Sequence, residues 1–293
     1  MLQKAKTKTR VIKADLLLLL VVTVWGTTFP VMKMILVDTD PFYFIALRFM
    51  VAFLALYLVF HKKVTRDDFS GETVRKGVIL GLCLLAGYAF QIVGLQYTTA
   101  SRSAFITGLS VVMVPLLSIM IIKQIPGPYT WTGVALATIG LYLLTGAGKI
   151  AVNLGDYLTF FCAVSFALQI VLLSKYLPGN KPVVLTLIQM AVVGGGSFLV
   201  SLFSNGITGV TGPALGVIIY TGLLATAMAY LIQSYAQQFT PPTHTGVIFT
   251  LEPVFGALFS YLILGEVMGF TGLFGGLLIV TGMLITEVKA EGV

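Results

Sequence analysis

Apolar segments of about twenty residues recur along this chain, and short polar or proline-containing breaks separate them. Each is long enough, at about 1.5 Å per residue, to cross a hydrocarbon core of about 30 Å as an α-helix. Because a membrane offers no water to unpaired backbone groups, helices are the expected spanning element. We predict an all-α integral membrane protein with ten transmembrane helices, at residues 15–36, 41–60, 77–97, 101–122, 129–147, 155–174, 183–204, 213–234, 242–264 and 267–286.

Composition and the scarcity of reactive side chains further narrow the class of protein to which this chain can belong. Of the 293 residues, 57% are hydrophobic and 10% are charged, which is too little charge to cover a soluble protein of this size. The two cysteines, Cys83 and Cys162, lie inside apolar segments and provide neither a disulfide framework nor a zinc site. Two histidines do not make a metal cluster, and the TGAGKI stretch at 145–150 lacks the spacing of a P-loop. We therefore expect no cofactor, no metal and no use of ATP.

The net charge of +7 is distributed in a way that orients the chain in a membrane. If the N-terminus is cytoplasmic, fourteen Lys and Arg residues fall on the cytoplasmic side, and only Arg102 and Lys149 fall on the outer side. The fourteen are Lys4, Lys6, Lys8, Arg10, Lys13, Lys62, Lys63, Arg66, Arg75, Lys76, Lys123, Lys175, Lys181 and Lys289. This asymmetry predicts that both termini are cytoplasmic in a multi-pass protein of the cell membrane. Because these residues lie in short loops, we expect no nucleic-acid partner.

Shifting the sequence by 142 residues aligns 95–144 with 237–286 without a gap, which indicates an internal repeat. Ten positions are identical: Gln96/Gln238, Thr98/Thr240, Ile106/Ile248, Leu109/Leu251, Leu116/Leu258, Ser118/Ser260, Gly127/Gly269, Gly133/Gly275, Leu136/Leu278 and Gly140/Gly282. A shift of 141 or 142 also pairs Asp15 with Asp156 and Lys33 with Lys175. We predict two five-helix repeats, 1–147 and 148–293, the second inverted because five is an odd number. Inverted repeats place a substrate site near the midplane between the halves, which favours transport by alternating access.

Several motifs resemble those of a known family: WGTTFPVMK at 25–33, a proline at 41 followed by an arginine at 48, AFITGLSVVMVPLLS at 104–118 and LEPVF at 251–255. In this order and at these spacings they resemble the drug/metabolite transporter (DMT) superfamily, in particular its ten-helix EamA-type members. The resemblance covers essentially the whole chain and implies two inverted repeats around a central cavity. It also implies export of small metabolites such as amino acids. The chain departs from the family in one respect: the first repeat has Ser110 and Val111 where the second has Glu252 and Pro253.

Glu252 and Arg48 are the charged side chains expected deepest in the membrane. Glu252 lies twelve residues beyond Thr240, which is about 18 Å into the bilayer at helical rise. A charged group there costs about 2.5–3.5 kcal/mol on insertion scales, so it requires a partner or a wet cavity. We interpret Glu252 as a proton-coupling or substrate-amine group, with a fixed interhelical pair as the alternative. Arg48 is expected at a similar depth, where pairing with Glu252 and stabilising the fold is favoured over binding substrate.

Further polar and aromatic candidates lie in the first, third, sixth and eighth segments. Prolines at 30, 115 and 253 remove helical hydrogen bonds and free backbone carbonyls that a binding site can use. The candidates for substrate binding or coupling, besides Glu252 and Arg48, are Trp25, Thr27, Thr28, Tyr88, Gln91, Phe166, Gln169, Tyr220 and Tyr230. The resemblance implies that the segments holding the three tyrosines and Phe166 line the cavity, which suits a solute with polar and apolar parts. Packing in the membrane core is the alternative for each aromatic side chain.

Glycines at 269, 272, 275, 276 and 282 allow close approach along the tenth helix. Packing against the fifth helix is the favoured use of these glycines, and a homodimer face is the alternative. Together these patterns predict a secondary transporter of small metabolites in the lipid bilayer, with protons as a candidate coupling ion. A membrane enzyme acting on a lipid-linked substrate is the alternative, disfavoured because the few acidic residues are scattered.

Overall fold

Helices account for nearly all of the chain that the structure describes. The computed structural model describes residues 2–33, 40–98, 100–145, 152–203, 209–265 and 269–288. Its helices are α1 (Leu2–Lys33), α2 (Pro41–Phe60), α3 (Gly71–Leu95), α4 (Ala100–Gly108), α5 (Ser110–Ile122), α6 (Pro128–Thr145), α7 (Leu154–Tyr176), α8 (Pro182–Phe203), α9 (Gly212–Gly222), α10 (Ala229–Ala236), α11 (Pro242–Phe249), α12 (Glu252–Leu264) and α13 (Phe270–Val288). A 3₁₀ turn at Arg66–Phe69 precedes α3, and a π-helical segment at Leu223–Met228, called the π segment below, joins α9 to α10.

Within the described residues, eight helical stretches are long and apolar enough to cross a membrane. They are Thr9–Thr28, Pro41–Phe60, Gly71–Leu95, Ser103–Ile122, Leu154–Tyr176, Pro182–Phe203, Gly212–Ala236 and Pro242–Ile263. The apolar part of α13, Phe270–Thr286, is shorter, and α6 overlaps the predicted fifth span. These helices confirm an all-helical integral membrane protein, while the count of ten transmembrane helices stays a prediction.

The first helix begins earlier than the sequence predicts. α1 starts at Leu2, whereas the apolar pattern predicts a membrane span from residue 15. The residues before 15 are rich in lysine, which has a high helix propensity but is unfavourable in the hydrocarbon core. Hydropathy therefore does not predict where this helix begins.

Two predicted spans are interrupted at positions that the 142-residue shift relates. The fourth span breaks between α4 and α5 at Leu109, and the ninth breaks between α11 and α12 at Leu251. The backbone tightens at both breaks, because the Leu109 and Leu251 amides each donate to a carbonyl three residues earlier. A new helix, α12, therefore starts at Glu252, with Pro253 at a position where its missing N–H is tolerated.

The glycines of α13 pack against α6, which is the use that the sequence favours. A Cβ at Gly133 would lie 2.6 Å from the Gly282 carbonyl oxygen, and a Cβ at Gly275 would lie 2.6 Å from the Gly140 carbonyl oxygen. These separations leave no room for a side chain, so the two backbones touch at these four glycines. A homodimer through the same helix stays an alternative prediction.

One end of the bundle is called the basic face below. It holds the α2–α3 connection at 61–70, the α7–α8 connection at 177–181 and the end of α10 at 237–241. Lys181 Nζ lies 2.8 Å from Asp68 Oδ2 on this face, and the Thr73 hydroxyl donates to Asn180 Oδ1 at 2.7 Å. These two contacts join elements of the first predicted repeat to elements of the second.

Candidate functional site

Aromatic side chains from six helices form a continuous group, called the aromatic cluster below. Its members are Trp25 of α1, Phe49 of α2, Tyr88 of α3, Phe166 of α7, Tyr230 of α10 and Phe249 of α11. Ring centroids are 5.0 Å apart for Trp25 and Phe249, 5.3 Å for Phe49 and Tyr88, and 5.4 Å for Tyr88 and Phe166. The cluster thus brings together four of the residues that the sequence singles out: Trp25, Tyr88, Phe166 and Tyr230.

The two tyrosines of the cluster bond to each other across the predicted repeats. The hydroxyl oxygens of Tyr88 and Tyr230 are 2.9 Å apart, and the two residues are 142 positions apart in the chain. Both tyrosines pack on Phe49. Each also packs on one more ring: Tyr230 on Trp25 at 5.7 Å and Tyr88 on Phe166 at 5.4 Å. Trp25 and Phe166 are themselves 141 positions apart. The centre of the cluster is therefore built from contacts that occur twice, once for each predicted repeat.

A second duplicated contact joins a carboxylate to a threonine hydroxyl. Thr240 donates to Asp15 Oδ1 at 2.6 Å, and Thr98 donates to Asp156 Oδ1 at 2.7 Å. The sequence pairs these residues by the same shifts, Asp15 with Asp156 and Thr98 with Thr240. In both cases the aspartate of one predicted repeat bonds the threonine of the other.

Arg48 hydrogen-bonds the π segment, and its charge also interacts with Glu252. Its Nε donates to Thr226 Oγ1 at 2.5 Å, and its Nη2 donates to the Ala225 carbonyl oxygen at 3.1 Å. The Trp25 indole N–H donates to the same carbonyl at 2.8 Å. Arg48 is 5% exposed, so these bonds satisfy a buried guanidinium and a carbonyl of the π segment together. Its arrangement agrees with the stabilising role that the sequence favours for it.

Glu252 lies beside the aromatic cluster at the start of a helix. It is the first residue of α12, inside the apolar stretch Pro242–Ile263, and it is partly buried. It interacts electrostatically with Arg48, Tyr88, Tyr230 and Cys162. The unpaired N–H groups at a helix N-terminus favour a negative charge, which partly offsets the cost of a carboxylate at this depth.

The threonines of the first segment are engaged by their own helix. Thr27 donates to the Val24 carbonyl at 2.7 Å and also contacts the Tyr220 hydroxyl, which ties α1 to α9. Thr28 donates to the Trp25 carbonyl at 2.7 Å and is buried. Both hydroxyls, in the turn that follows Trp25 and precedes Pro30, therefore bond carbonyls of α1 itself.

Gln169 belongs to a buried chain of amides, called the glutamine ladder below. Its Nε2 donates to Gln189 Oε1 at 2.9 Å, and its Oε1 accepts from Gln233 Nε2 at 3.0 Å. Gln233 Nε2 also donates to Gln237 Oε1 at 2.9 Å, and Gln237 Nε2 donates to Ser174 Oγ at 2.8 Å. All four glutamines are at most 5% exposed. The ladder joins α7, α8 and α10 through side chains alone.

Of the four glutamines in this ladder, Gln169 is a candidate from the sequence, whereas Gln189, Gln233 and Gln237 are missed. Gln189 and Gln233 lie inside predicted spans, as do Gln169 and Gln91, and Gln237 lies three residues beyond the predicted end of the eighth span. A polar amide in an apolar span was therefore a usable signal at two of the missed positions. Gln91 itself lies one turn beyond Tyr88 on α3, is partly buried, and is not part of the ladder.

The groups presented around the cluster are hydroxyls, amides, aromatic rings and one carboxyl group. Within the described residues, no group of three or more His, Cys, Asp or Glu side chains is arranged to hold a metal ion. Cys83 and Cys162 are free thiols, and Cys162 is fully buried.

Comparison with known proteins adds a family and a fold. The sequence profile of the EamA-like transporter family matches the chain twice, over residues 12–146 and 153–288. An uncharacterized transporter of Archaeoglobus fulgidus is 34% identical over 276 residues, which cover 94% of this chain and 86% of that protein. A second from the same organism is 29% identical over 290 residues, which cover 94% and 98%. The uncharacterized transporter YyaM of Bacillus subtilis is 24% identical over 88% of each chain.

A solved crystal structure has the same fold. It superposes with a TM-score of 0.84 over 95% of this chain and 97% of the other, at 16% sequence identity.

Proposed function

We propose that this chain, which belongs to the EamA-like transporter family and is a membrane transporter, exports small amphipathic solutes from the cell by alternating access. Amino acids and related metabolites are the proposed class. The observation that carries the proposal is the hydrogen bond between Tyr88 and Tyr230, which stand at equivalent positions of the two predicted repeats within one aromatic cluster.

The aromatic cluster supports the amphipathic class of solute. Trp25, Phe166 and Phe249 offer apolar surface to a hydrocarbon part of the solute. The tyrosine hydroxyls and the Glu252 carboxyl offer hydrogen-bonding groups at the same place, and a carboxylate is a suitable partner for a substrate amine.

The duplicated contacts support two inverted repeats, 1–147 and 148–293. The tyrosine pair joins residues 142 positions apart. The two aspartate–threonine bonds are related to each other by a shift of 141 or 142 residues, and so are the two glycine contacts between α6 and α13. Two inverted repeats with similar folds can each adopt the conformation of the other. A site between them then faces each side of the membrane in turn. The Tyr88–Tyr230 bond lies where such a rocking motion would separate the halves.

Transport is tested by flux into and out of reconstituted vesicles. A panel of labelled amino acids and metabolites is offered to vesicles with the protein and to protein-free vesicles, with and without a pH gradient. We expect protein-dependent flux of at least one amphipathic member, faster when the gradient is present. If no member of a broad panel moves faster than in protein-free vesicles, the proposed function is wrong.

Glu252 is the proposed proton-coupling group in this transport. An ionised carboxylate is costly in the hydrocarbon region, so a cavity that opens to each side in turn lets this group bind and release a proton. We expect Glu252→Gln, which is nearly isosteric, to fold normally and to lose the dependence of flux on the pH gradient. Glu72→Gln is the matched control, because Glu72 is 65% exposed and pairs with Lys76 within α3. Unchanged gradient dependence in a well-folded Glu252→Gln protein would leave contact with a substrate amine as the role of Glu252.

Both termini are proposed to be cytoplasmic. The fourteen basic residues on one side of the ten predicted spans support this orientation. A reporter fused after Lys289 is expected in the cytoplasm, and one inserted at 205–211 is expected outside. Detection of both reporters on the same side would contradict the ten-span topology.

A further inference from the structure

A polar pocket of about 700 Å³ lies on the basic face, apart from the aromatic cluster. Its wall includes Asp67 and Asp68 of the α2–α3 connection, Ser174 of α7, and Gln237 and Gln238 at the end of α10. Its volume lies in the range of about 300–1,000 Å³ that is typical of small-molecule sites. The pocket is therefore large enough for a metabolite, and its wall is rich in hydrogen-bonding groups.

The glutamine ladder leads from this pocket toward the aromatic cluster. Gln237 belongs both to the pocket wall and to the ladder, where it bonds Ser174 and Gln233. Seven residues separate Gln237 from Tyr230 along α10, a distance of about 10 Å at helical rise. A row of buried polar groups thus extends from the basic face to Gln233, about one turn from Tyr230 along α10.

One atom of the ladder has an unused capacity for hydrogen bonding. Gln233 donates from Nε2 to both neighbouring amides, and its Oε1 has no hydrogen-bond partner although the residue is 1% exposed. A buried acceptor without a donor is unfavourable, and a solute N–H or O–H that reached it would relieve that cost. This atom lies about one turn of α10 beyond the Gln237 rung.

We propose that the pocket and the glutamine ladder behind it form an access site for net-uncharged solutes that carry amide or hydroxyl groups. This site rests on the proposed transport function, because it is where a solute would bind on its way between the basic face and the aromatic cluster. Opening the ladder would exchange amide–amide hydrogen bonds for amide–solute hydrogen bonds, which changes the free energy little.

The ladder also selects against charge. Its four rungs are neutral amides, and moving an ionic group among them without a counter-ion is costly. Of the charged residues in the pocket wall, Lys181 and Asp68 bond each other at 2.8 Å, and Asp67 is exposed to solvent and is not part of the ladder. A charged solute of the same size is therefore expected to bind the pocket less well than a neutral one.

The test measures how fast a cysteine in the pocket wall reacts. Gln238 is exposed and lines the pocket, so Gln238→Cys places a thiol there, and wild-type protein reports the background from Cys83 and Cys162. The purified protein in detergent is labelled with a polar thiosulfonate in the presence of L-glutamine, L-glutamate, L-lysine or L-leucine. At a glutamine concentration about twice its dissociation constant, labelling is expected to slow about threefold. Glutamate, lysine and leucine at that concentration are expected to slow it much less.

A second substitution tests whether the solute binds the ladder as well as the pocket mouth. Adding Gln237→Leu is expected to abolish protection by glutamine, whereas adding Gln124→Leu, at an exposed glutamine in the α5–α6 connection, is expected to leave it intact. No protection by glutamine, or equal protection by leucine or glutamate, would overturn the proposal. Labelling measures occupancy of the pocket and does not depend on transport. Protection by glutamine without vesicle flux would support this site and contradict the proposed function. Flux without protection would support the proposed function and contradict this site.

Discussion

The two predicted repeats share the duplicated tyrosine, aspartate–threonine and glycine contacts, but they differ at one corner of the bundle, where α7, α8 and α10 meet in the second repeat. In the second repeat, Gln169, Gln189, Gln233 and Gln237 bond one another across α7, α8 and α10. The positions 141 or 142 residues earlier hold Thr28, Arg48, Gln91 and Leu95 on α1, α2 and α3. None of these bonds another member of its set: Thr28 bonds its own helix, Arg48 bonds the π segment, and Leu95 is 43% exposed.

The glutamine ladder is therefore present in the second predicted repeat and has no counterpart at the equivalent positions of the first. If the repeats are inverted, the two corners lie toward opposite sides of the membrane, and the glutamine ladder lies toward the basic face. A conformational equilibrium between two related arrangements is set by contacts present in one and absent from the other. On the proposed alternating-access function, the amides that occur in only one corner would favour the arrangement in which the basic face is closed.

The largest effect is expected where the two repeats are alike, at the glycines between α6 and α13. Gly133→Leu and Gly275→Leu should impair folding to a similar extent, because a Cβ at either position lies within 2.6 Å of backbone in the facing helix. Yield of folded protein and thermal melting in detergent measure the effect. Gly216→Leu is the control, since Gly216 of α9 has no atom within 4 Å of an added Cβ. Wild-type yield and melting of either glycine variant would contradict the contact.

A smaller loss of stability is expected at the glutamine ladder and at its equivalent positions in the first repeat, and the loss should differ between the two. Gln233→Leu removes the donor to both Gln169 and Gln237, so two buried acceptors lose a partner. We expect a loss of about 1–2 kcal/mol, or a few degrees in melting temperature, given the range measured for polar contacts between membrane helices. Gln91→Leu, at the equivalent position of the first repeat, should cost less than about 0.5 kcal/mol because no ladder surrounds it. Equal losses for the two variants would remove the proposed asymmetry.

Much of the fold could be predicted from the sequence, because hydrophobic length reports directly on the membrane. The predicted breaks at Pro126–Pro128, Pro178–Asn180 and Pro241 fall at helix boundaries, since proline and glycine act on the local backbone. The meeting of Trp25, Tyr88, Phe166 and Tyr230 agrees with the candidates drawn from the first, third, sixth and eighth segments. These features depend on local chemistry or on the repeat, which the sequence carries explicitly.

The features that sequence reasoning missed depend on distant neighbours. The rungs of the ladder join residues 20 and 64 positions apart, and an apolar pattern does not tell which amide faces which. The π segment is also invisible in hydropathy, because Leu223–Met228 is as apolar as an ordinary helix. Its Ala225 carbonyl accepts hydrogen bonds from Arg48 and Trp25, which lie on other helices. The sequence likewise carries no sign of the hydrogen bonds from Arg48 to this segment. The pairing of Arg48 with Glu252 and its stabilising role stay predictions.

The smallest effect is expected at the basic face, where an ion pair supplements the ladder. Lys181 donates to Asp68 at 2.8 Å, and this hydrogen bond, followed by one from the Thr65 backbone N–H, lowers the pKa of the Asp68 carboxyl below its ordinary value. Because the pKa is lowered in the folded protein, the stabilisation is present at neutral pH and is lost as the pH falls through that lowered value.

Asp68→Asn should therefore lower the melting temperature slightly at pH 7, and the difference from wild type should begin to shrink at about pH 4 and vanish once the pH is below the lowered pKa of Asp68. The pair is solvent-exposed, so added salt should also reduce the difference. Glu72→Gln provides a control, because its pair with Lys76 lies within α3 and joins no two elements. If the pair contributes to closing the basic face together with the ladder, Asp68→Asn should also speed labelling of Gln238→Cys, and Glu72→Gln should not. Equal labelling rates in the two backgrounds would show that the glutamine ladder closes this face without the ion pair.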